Sequence, residues 1–162
     1  MWKQLTSLVV VCSLLFGCQE AEAVPNGFYE YDKDEVKAAV DELSFNPEMP
    51  EFIPIDVDFL VSDRFFTLDT GNEALDVSFY TRENDLLQVQ FVDGELGQTL
   101  VESEKVIINN DVIGDYVETS FAQVLSWQKQ GITYKLTYRS KPESDNPVSK
   151  SQLIEVAKSF QS

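Results

Sequence analysis

The chain has 162 residues, of which 12 are Lys or Arg and 28 are Asp or Glu, so its formal net charge is -16. Because histidine is absent, Ser-His and Cys-His nucleophiles and histidine-ligated zinc are excluded, and so acidic a surface would repel the phosphate backbone of DNA or RNA. The hydrophobic fraction of 43% and the aromatic fraction of 12% argue against disorder despite this charge.

Residues 1–17 have the features of a removable leader. One positive charge, Lys3, precedes an apolar run from Leu5 to Phe16 that is too short to span a bilayer. The run ends in Leu15-Phe16-Gly17-Cys18, which resembles the lipobox of bacterial lipoproteins, in which the cysteine is lipidated and becomes the N-terminus. The alternative is cleavage by ordinary signal peptidase after Ala21-Glu22-Ala23.

Lipid attachment would use the cysteine that survives cleavage. Cys12 lies within the leader, so a lipidated Cys18 leaves the mature chain without a thiol for catalysis or for a disulfide. Several acyl chains on one residue are enough for stable anchoring. We therefore expect a lipoprotein anchored to the extracytoplasmic face of the cell membrane. The acidic residues 18–31, with Pro25-Asn26-Gly27 among them, are predicted to form a tether.

A single domain is predicted over residues 32–162, beginning with a short helix from Lys33 to Leu43. Asp32 and Glu35 have the spacing of a capping box. The apolar residues that follow at helical spacing are Val36, Ala39, Val40 and Leu43. The three prolines at positions 47, 50 and 54 then exclude a helix and favour an extended crossing outside the sheet.

From Ile55 onward, apolar and polar residues alternate as in strands with one buried face. Hairpin turns are predicted at Arg82–Asp85, at Asn109-Asn110 with both residues at positive φ, and at Gln128–Gly131. A second capping box, Ser149 to Gln152, starts a closing helix. These elements predict an α+β fold: a mostly antiparallel β-meander of about six strands, with the N-terminal and the C-terminal helix packed on one face.

Three segments together carry a family resemblance: Leu43-Ser44-Phe45 with the crossing that ends at Pro54, the hairpin from Leu125 to Tyr134, and Ser149 to Phe160. Over most of residues 43–160, the chain resembles a domain-of-unknown-function family of extracytoplasmic lipoproteins and of sporulation-associated or anti-sigma-like proteins of Gram-positive spore formers. The matching positions are Trp127, Gly131, Tyr134, Lys150, Leu153, Ala157, Ser159 and Phe160. The resemblance implies a fold and a location, and it implies no catalytic residue.

Two short motifs match catalytic patterns but are expected to be structural. Asp69-Thr70-Gly71 matches the aspartic-protease triplet, of which an active site needs two copies, so we expect a turn between strands. Ser126 to Lys129 followed by Ser144-Asp145-Asn146 matches two penicillin-recognition motifs, but the third motif is absent and the serine lies at a strand end.

Aromatic residues provide the candidate binding surface. Those on predicted strands can line a groove for a peptide, a glycan or a lipid, although cross-strand core pairs are the simpler interpretation. They are Tyr80, Tyr116, Trp127, Tyr134 and Tyr138. The aromatic residues of the predicted tether are expected either to pack on the domain or to meet the membrane interface. They are Phe28, Tyr29 and Tyr31.

We expect a non-enzymatic protein with a binding or regulatory role, whose partner is an envelope protein or peptide, without cofactor, metal or nucleic acid. One alternative is an envelope hydrolase with paired carboxylates, Asp56 with Asp58 or Glu102 with Glu104, alternating on a strand about 6.5–7 Å apart. Such pairs can also bind Ca²⁺ weakly, but solvated surface is the simpler interpretation. Another alternative is a carrier of an apolar ligand, which needs a cavity lined by Phe79, Val89, Leu136 and Val156.

Overall fold

A computed structural model describes residues 24–95, 101–141 and 147–161 of the chain. The elements in chain order are α1 (Lys33–Val40), β1 (Met49–Pro50), β2 (Phe59–Phe66), β3 (Glu73–Tyr80), β4 (Leu86–Asp93), β5 (Glu104–Asn109), β6 (Val112–Glu118), β7 (Gln123–Lys129), β8 (Ile132–Arg139), α2 (Lys150–Lys158) and β9 (Phe160–Gln161). The predicted leader and Cys18 lie outside the described residues. None of the described helices has the length and apolar character needed to cross a membrane.

Seven strands form one antiparallel sheet in the spatial order β2-β3-β4-β8-β7-β6-β5. The predicted α+β class and the mostly antiparallel sheet are confirmed. The single meander is not, because β4 pairs with β8 and the chain reaches β5 only at the far edge of the sheet. The sheet therefore consists of two meanders, β2 to β4 and β5 to β8, joined by a central pair. The two-residue strands β1 and β9 pair separately.

Alternation along the strands gives the large sheet two different faces. One face, called the inner face here, contributes Leu75, Val77 and Phe79 of β3 to a continuous buried core, together with their partners on β4 and β8. Strands β3, β4 and β8 each contribute three buried residues to this core, whereas the edge strand β2 contributes none. Both helices add buried side chains to it: Val36 and Val40 from α1, and Leu153, Val156 and Ala157 from α2.

The helices begin where the sequence predicts. The side chain of Asp32 accepts a hydrogen bond from the amide of Glu35 at 2.9 Å, and Ser149 and Gln152 form a reciprocal capping box. Helix α1 ends at Val40 and not at Leu43. The residues that follow form turns and bends before Pro47. A proline also disfavours the helical conformation for the residue that precedes it.

Two hairpin turns illustrate how local chemistry decides the loop. In the β7–β8 turn, Gln130 and Gly131 have φ values of 53° and 79°. Gly131 therefore supplies the left-handed backbone that was predicted for this turn. The predicted turn at Asn109-Asn110 is wrong, because Asn109 ends β5, the turn lies at Asn110-Asp111, and neither asparagine has positive φ. The Asn109 side chain accepts from the Asp111 amide at 3.1 Å, which bends the chain without a left-handed residue.

Part of the predicted tether packs on the domain. Tyr29 exchanges backbone hydrogen bonds of 2.8 and 3.1 Å with Ile53, and the Phe28 ring lies 4.7 Å from that of Phe52. The Tyr31 hydroxyl donates to the Pro50 carbonyl at 2.5 Å. Of the two expectations for these aromatic residues, contact with the domain is the one observed, so the predicted tether of residues 18–31 contains at least one stretch that is held against the fold.

Candidate functional site: the outer face of the sheet

The five aromatic residues of the predicted binding surface do not share one surface. Four of them are buried on the inner side of the sheet, where Trp127 stacks on Tyr134 with ring centroids 5.3 Å apart and Phe160 meets both rings edge-on. The other two buried residues are Tyr116 and Tyr138. Only Tyr80 lies on the opposite face, where it stacks on Phe59 at 4.7 Å. The core interpretation therefore describes four of the five.

The hydroxyl groups of these buried tyrosines are used inside the protein. Tyr134 accepts from the amide of Glu48 at 3.1 Å, and Tyr138 donates to Asp85 at 3.3 Å. Burial raises the pKa of both phenols. Each hydroxyl thus ties a loop to the sheet, as buried tyrosines usually do, and is not presented to a ligand.

The predicted carboxylate pairs do not alternate along strands. Asp56 and Asp58 precede β2, which begins at Phe59, and all four carboxylates are exposed. Asp58 accepts from Arg82 at 2.9 Å, and Glu104 pairs with Lys150 at 2.5 Å. Asp56 and Asp58 do line a cleft of about 450 Å³ near Tyr29 and the β3–β4 loop.

Two of the alternatives predicted from the sequence, a Ca²⁺ site and a cavity for an apolar ligand, concern specific residues of the fold. Among the described residues, no group of three or more potential ligands could hold a metal ion. Phe79, Val89, Leu136 and Val156 are all buried in the continuous core, so these positions pack against protein.

The two short motifs that match catalytic patterns lie in different parts of the fold. Asp69-Thr70-Gly71 lies in the β2–β3 connection, which confirms the predicted turn. Gly71 has a φ of 69° there, and its amide donates to the Thr67 carbonyl. Ser126 lies within β7, and Ser144-Asp145-Asn146 lie outside the described residues.

The other face of the large sheet, called the outer face here, carries a row of polar side chains across all seven strands. Each residue of the row lies directly opposite the next in the strand register. In the order of the strands they are Asp63, Asp76, Gln90, Lys135, Ser126, Asp115 and Lys105. Within the row, only Asp115 and Lys105 form an ion pair, at 2.6 Å. The hydrogen bond from Lys105, together with a second one from Ser103, holds the pKa of Asp115 below its usual range. No short sequence motif predicts this row, because its residues come from seven separate strands.

At the β2–β3 end of the row, two carboxylates face each other. Asp76 accepts from Gln90 at 2.7 Å and from Gln88 at 2.8 Å, one amide to each oxygen. Its pKa is raised, mainly by burial and further by the charge of Asp63, while Gln90 and Lys135 act in the opposite direction. Each oxygen of Asp76 thus accepts one side-chain amide, while burial and the neighbouring carboxylate of Asp63 disfavour its ionised form.

Over β6, β7 and β8, the outer face forms an open groove of about 1140 Å³. Its apolar lining is Val101, Ile113, Val117, Val124 and Trp127, and its polar lining includes Ser126, Gln128, Thr133 and Lys135. Trp127 is only 5% exposed, because its ring packs against Tyr134 and Phe160 on the inner side. Ile113 is 62% exposed, and Ile107 on the adjoining strand is 73% exposed. Ile107 and Ile113 lie opposite each other in the β5–β6 register, so their exposed side chains form one continuous patch beside the groove. Contiguous apolar patches, unlike single exposed residues, are typical of interaction surfaces.

Two connections hold the rim of the groove. The Thr133 hydroxyl donates to the Gly94 carbonyl at 2.5 Å, and the Asn72 amide donates to the Glu95 carbonyl at 3.3 Å, so the chain that leaves β4 is fixed against the outer face. Glu95, in this fixed stretch, and Asp69, in the β2–β3 connection, both line the groove. Sequence reasoning did not identify this site, because its residues come from separate strands and loops. The alternation of Thr133, Lys135 and Thr137 was the available signal for a polar face.

Comparisons of the chain with protein families, with characterised proteins and with solved structures found no match.

Proposed function

We propose that this protein is a lipid-anchored, extracytoplasmic binding protein that engages an envelope protein or peptide through the outer face of its sheet and carries out no catalysis. The observation that carries the proposal is the groove over β6 to β8 with Ile113 exposed beside it. We further propose that both helices cover the inner face, which leaves the outer face as the broad sheet surface that can receive a partner.

The anchored location rests on the lipobox-like Leu15-Phe16-Gly17-Cys18 and on the charge of the chain. A domain with a formal charge of -16 is repelled by an anionic leaflet, so a lipid on Cys18 would hold it beside the membrane while its surface stays in solution. The family resemblance supports the same location. It implies no catalytic residue.

Mass spectrometry of the mature N-terminus tests the anchor. We expect a lipidated Cys18, and an unmodified Val24 at the N-terminus would end this part of the proposal. Cys18→Ser is expected to release the protein from the membrane fraction.

Position-specific photo-crosslinking in intact cells tests the binding face. A crosslinking residue is placed either at Ile113 in the groove or at Ala38, an exposed residue of α1. We expect a discrete product with an envelope protein from position 113, lost when excess soluble domain competes, and none from position 38. Equal products from both positions, or none from position 113, would contradict binding through the outer face.

A further inference from the structure

We propose that the groove on the outer face takes a polypeptide segment in which apolar and basic residues are combined. This inference rests on the proposed function and narrows it to one class of partner. Its basis is the uneven charge of the groove: three carboxylates, those of Asp69, Glu95 and Asp115, line it together with a single lysine, Lys135.

The ion pairs of the described residues show which of these charges remain uncompensated. Asp115 is paired with Lys105 at 2.6 Å, and Lys135 lies close enough to Asp76 to interact with its charge. Asp69 accepts a hydrogen bond only from the adjacent Thr70 amide, and the carboxylate of Glu95 has no ion-pair partner in the described part of the chain. Two carboxylates on the rim are therefore available to a cationic ligand.

The floor between these carboxylates supplies the apolar part of the recognition. Val117 and Val124 lie opposite each other on β6 and β7, and Ile113 is exposed on β6. Beside them, Ser126 and Gln128 have no side-chain hydrogen bond to any described residue and can pair with the polar groups of a ligand backbone. A floor of three strands is about 10 Å wide, which matches one extended or helical segment and not a folded domain.

Charge complementarity selects among the possible occupants. An anionic lipid surface or a phosphate-rich ligand would add repulsion to a chain with a net charge of -16, and a second copy of the same chain would do so as well. A basic segment is attracted by the same field. Its apolar side chains would cover Ile113 and Val117, while its lysines or arginines reach Asp69 and Glu95.

Three short labelled peptides test this inference: one alternating valine and lysine, one alternating valine and glutamate, and one alternating serine and lysine. Affinity is measured by fluorescence anisotropy with the soluble domain, and the site is located by amide chemical shifts. We expect the valine–lysine peptide to bind at least about tenfold more tightly than the other two and to shift the amides of Ile113 and Ser126.

Matched charge variants separate local recognition from general attraction. Asp69→Asn with Glu95→Gln should weaken binding about two- to tenfold, since rim charges contribute modestly. The control, Asp34→Asn with Glu42→Gln, removes the same charge from exposed residues outside the groove and should leave affinity unchanged. Ile113→Ser should also weaken binding, because it removes apolar surface from the floor.

The outcomes distinguish this inference from the proposed function. Binding of the valine–glutamate peptide at the same amides would overturn the charge preference and leave the binding face intact. The valine–lysine and serine–lysine peptides could bind equally, and the groove and control variants could lose equal affinity. Binding would then reflect diffuse electrostatic attraction, and this result would overturn the inference. Absence of valine–lysine binding would overturn it too, while crosslinking from position 113 still decides the proposed function. Self-association through the groove, detected by light scattering, would replace the basic segment with a second copy.

Discussion

Asp76 lies directly opposite Asp63 in the β2–β3 ladder, so two like charges meet on the outer face of the sheet. The arrangement is held by amides: Gln90 and Gln88 each donate to one oxygen of Asp76, at 2.7 and 2.8 Å. Burial and the charge of Asp63 nevertheless raise the pKa of Asp76. The ionised carboxyl is therefore less stable in the folded protein than in the unfolded chain.

Replacing Asp76 with asparagine should stabilise the protein at neutral pH by about 0.5–1 kcal/mol, because directly opposed like charges destabilise a sheet. A carboxyl whose pKa is raised by folding costs nothing below its unfolded pKa of about 3.9, and the cost grows as the pH rises through the folded pKa. The gain of Asp76→Asn should therefore vanish in acid. Urea unfolding at neutral and acidic pH measures it.

Asp63→Asn is the control for this prediction. It removes the same repulsion from an exposed side chain, so its gain should be smaller than that of Asp76→Asn. If Asp76→Asn is the less stable protein at neutral pH, the hydrogen bonds that Asp76 accepts from Gln88 and Gln90 outweigh the cost of burying its charge, which would contradict the prediction.

The segment before α1 should contribute measurably to the stability of the domain. The Tyr31 hydroxyl donates to the Pro50 carbonyl, its ring packs edge-on to Phe79 at 5.2 Å, and burial is the main cause of its raised pKa. Tyr31→Phe should lower the free energy of unfolding by about 1 kcal/mol through loss of this hydrogen bond. Thermal or urea unfolding provides the measurement.

Tyr29→Phe is the matched control, because Tyr29 is 43% exposed and joins the domain through its backbone. Its effect should stay within about 0.5 kcal/mol, as for surface substitutions. Equal losses from the two variants would show that the Tyr31 hydrogen bond is not what holds the segment.

Local features of the fold could be read from the sequence because their causes are local. The capping residues Asp32 and Ser149 satisfy amides three residues away, and Gly131 accepts the backbone conformation of a tight turn, so neighbouring residues suffice to identify them. The α+β class followed in the same way, from the change of period along the chain.

Long-range features could not be read in this manner. The pairing of β4 with β8 depends on which strands bury the most apolar surface together, not on the connection that follows β4. The opposition of Asp63 and Asp76 depends on a register that local alternation does not specify. The groove adds a third case, since Glu95 is held at its rim by the hydrogen bonds from Thr133 to the Gly94 carbonyl and from Asn72 to the Glu95 carbonyl, which join distant parts of the chain.

Replacing Gly114 with a larger residue should destabilise the protein, although the backbone at this position is not left-handed. A Cβ placed there would lie 3.0 Å from Ile108 Cδ1, 3.0 Å from Leu125 Cδ1 and 3.2 Å from the Ser126 carbonyl oxygen. The two methyl groups can move, but the backbone oxygen belongs to the paired strand β7. Gly114→Ala should therefore destabilise the protein by about 1–2 kcal/mol, since overpacking exceeds the gain from a stiffer unfolded chain. Urea unfolding tests this.

Gly71→Ala offers a comparison of the opposite kind. No atom lies within 4 Å of a Cβ at Gly71, but its φ of 69° is unfavourable for alanine. The loss of stability in Gly71→Ala should come from backbone strain alone. Shifts of the core resonances of Leu125 and Ile108 are therefore expected for Gly114→Ala only. A Gly114→Ala variant as stable as the parent would mean that β7 adjusts without cost.

Tyr116 should make the domain sensitive to alkaline pH. Its hydroxyl lies 2.9 Å from Gln123 Oε1 and 3.2 Å from Glu118 Oε2, and Gln123 in turn donates to the Val148 carbonyl just before α2. Burial, followed by the charge of Glu118, raises the pKa of Tyr116 to about 12. Since the unfolded phenol titrates near pH 10, folding opposes ionisation of this side chain.

The stability that Tyr116 contributes is therefore complete below about pH 10 and is lost as the pH rises through the folded value. Tyr116→Phe should be less stable at neutral pH by about 1 kcal/mol, from loss of the hydroxyl contacts, yet should lose less stability than the parent on going to alkaline pH. The difference between the tyrosinate absorbance of parent and variant isolates the titration of this one phenol. A midpoint at the unfolded value in that difference curve would mean that solvent reaches the hydroxyl, and that the contact between β6, β7 and the start of α2 is open in solution.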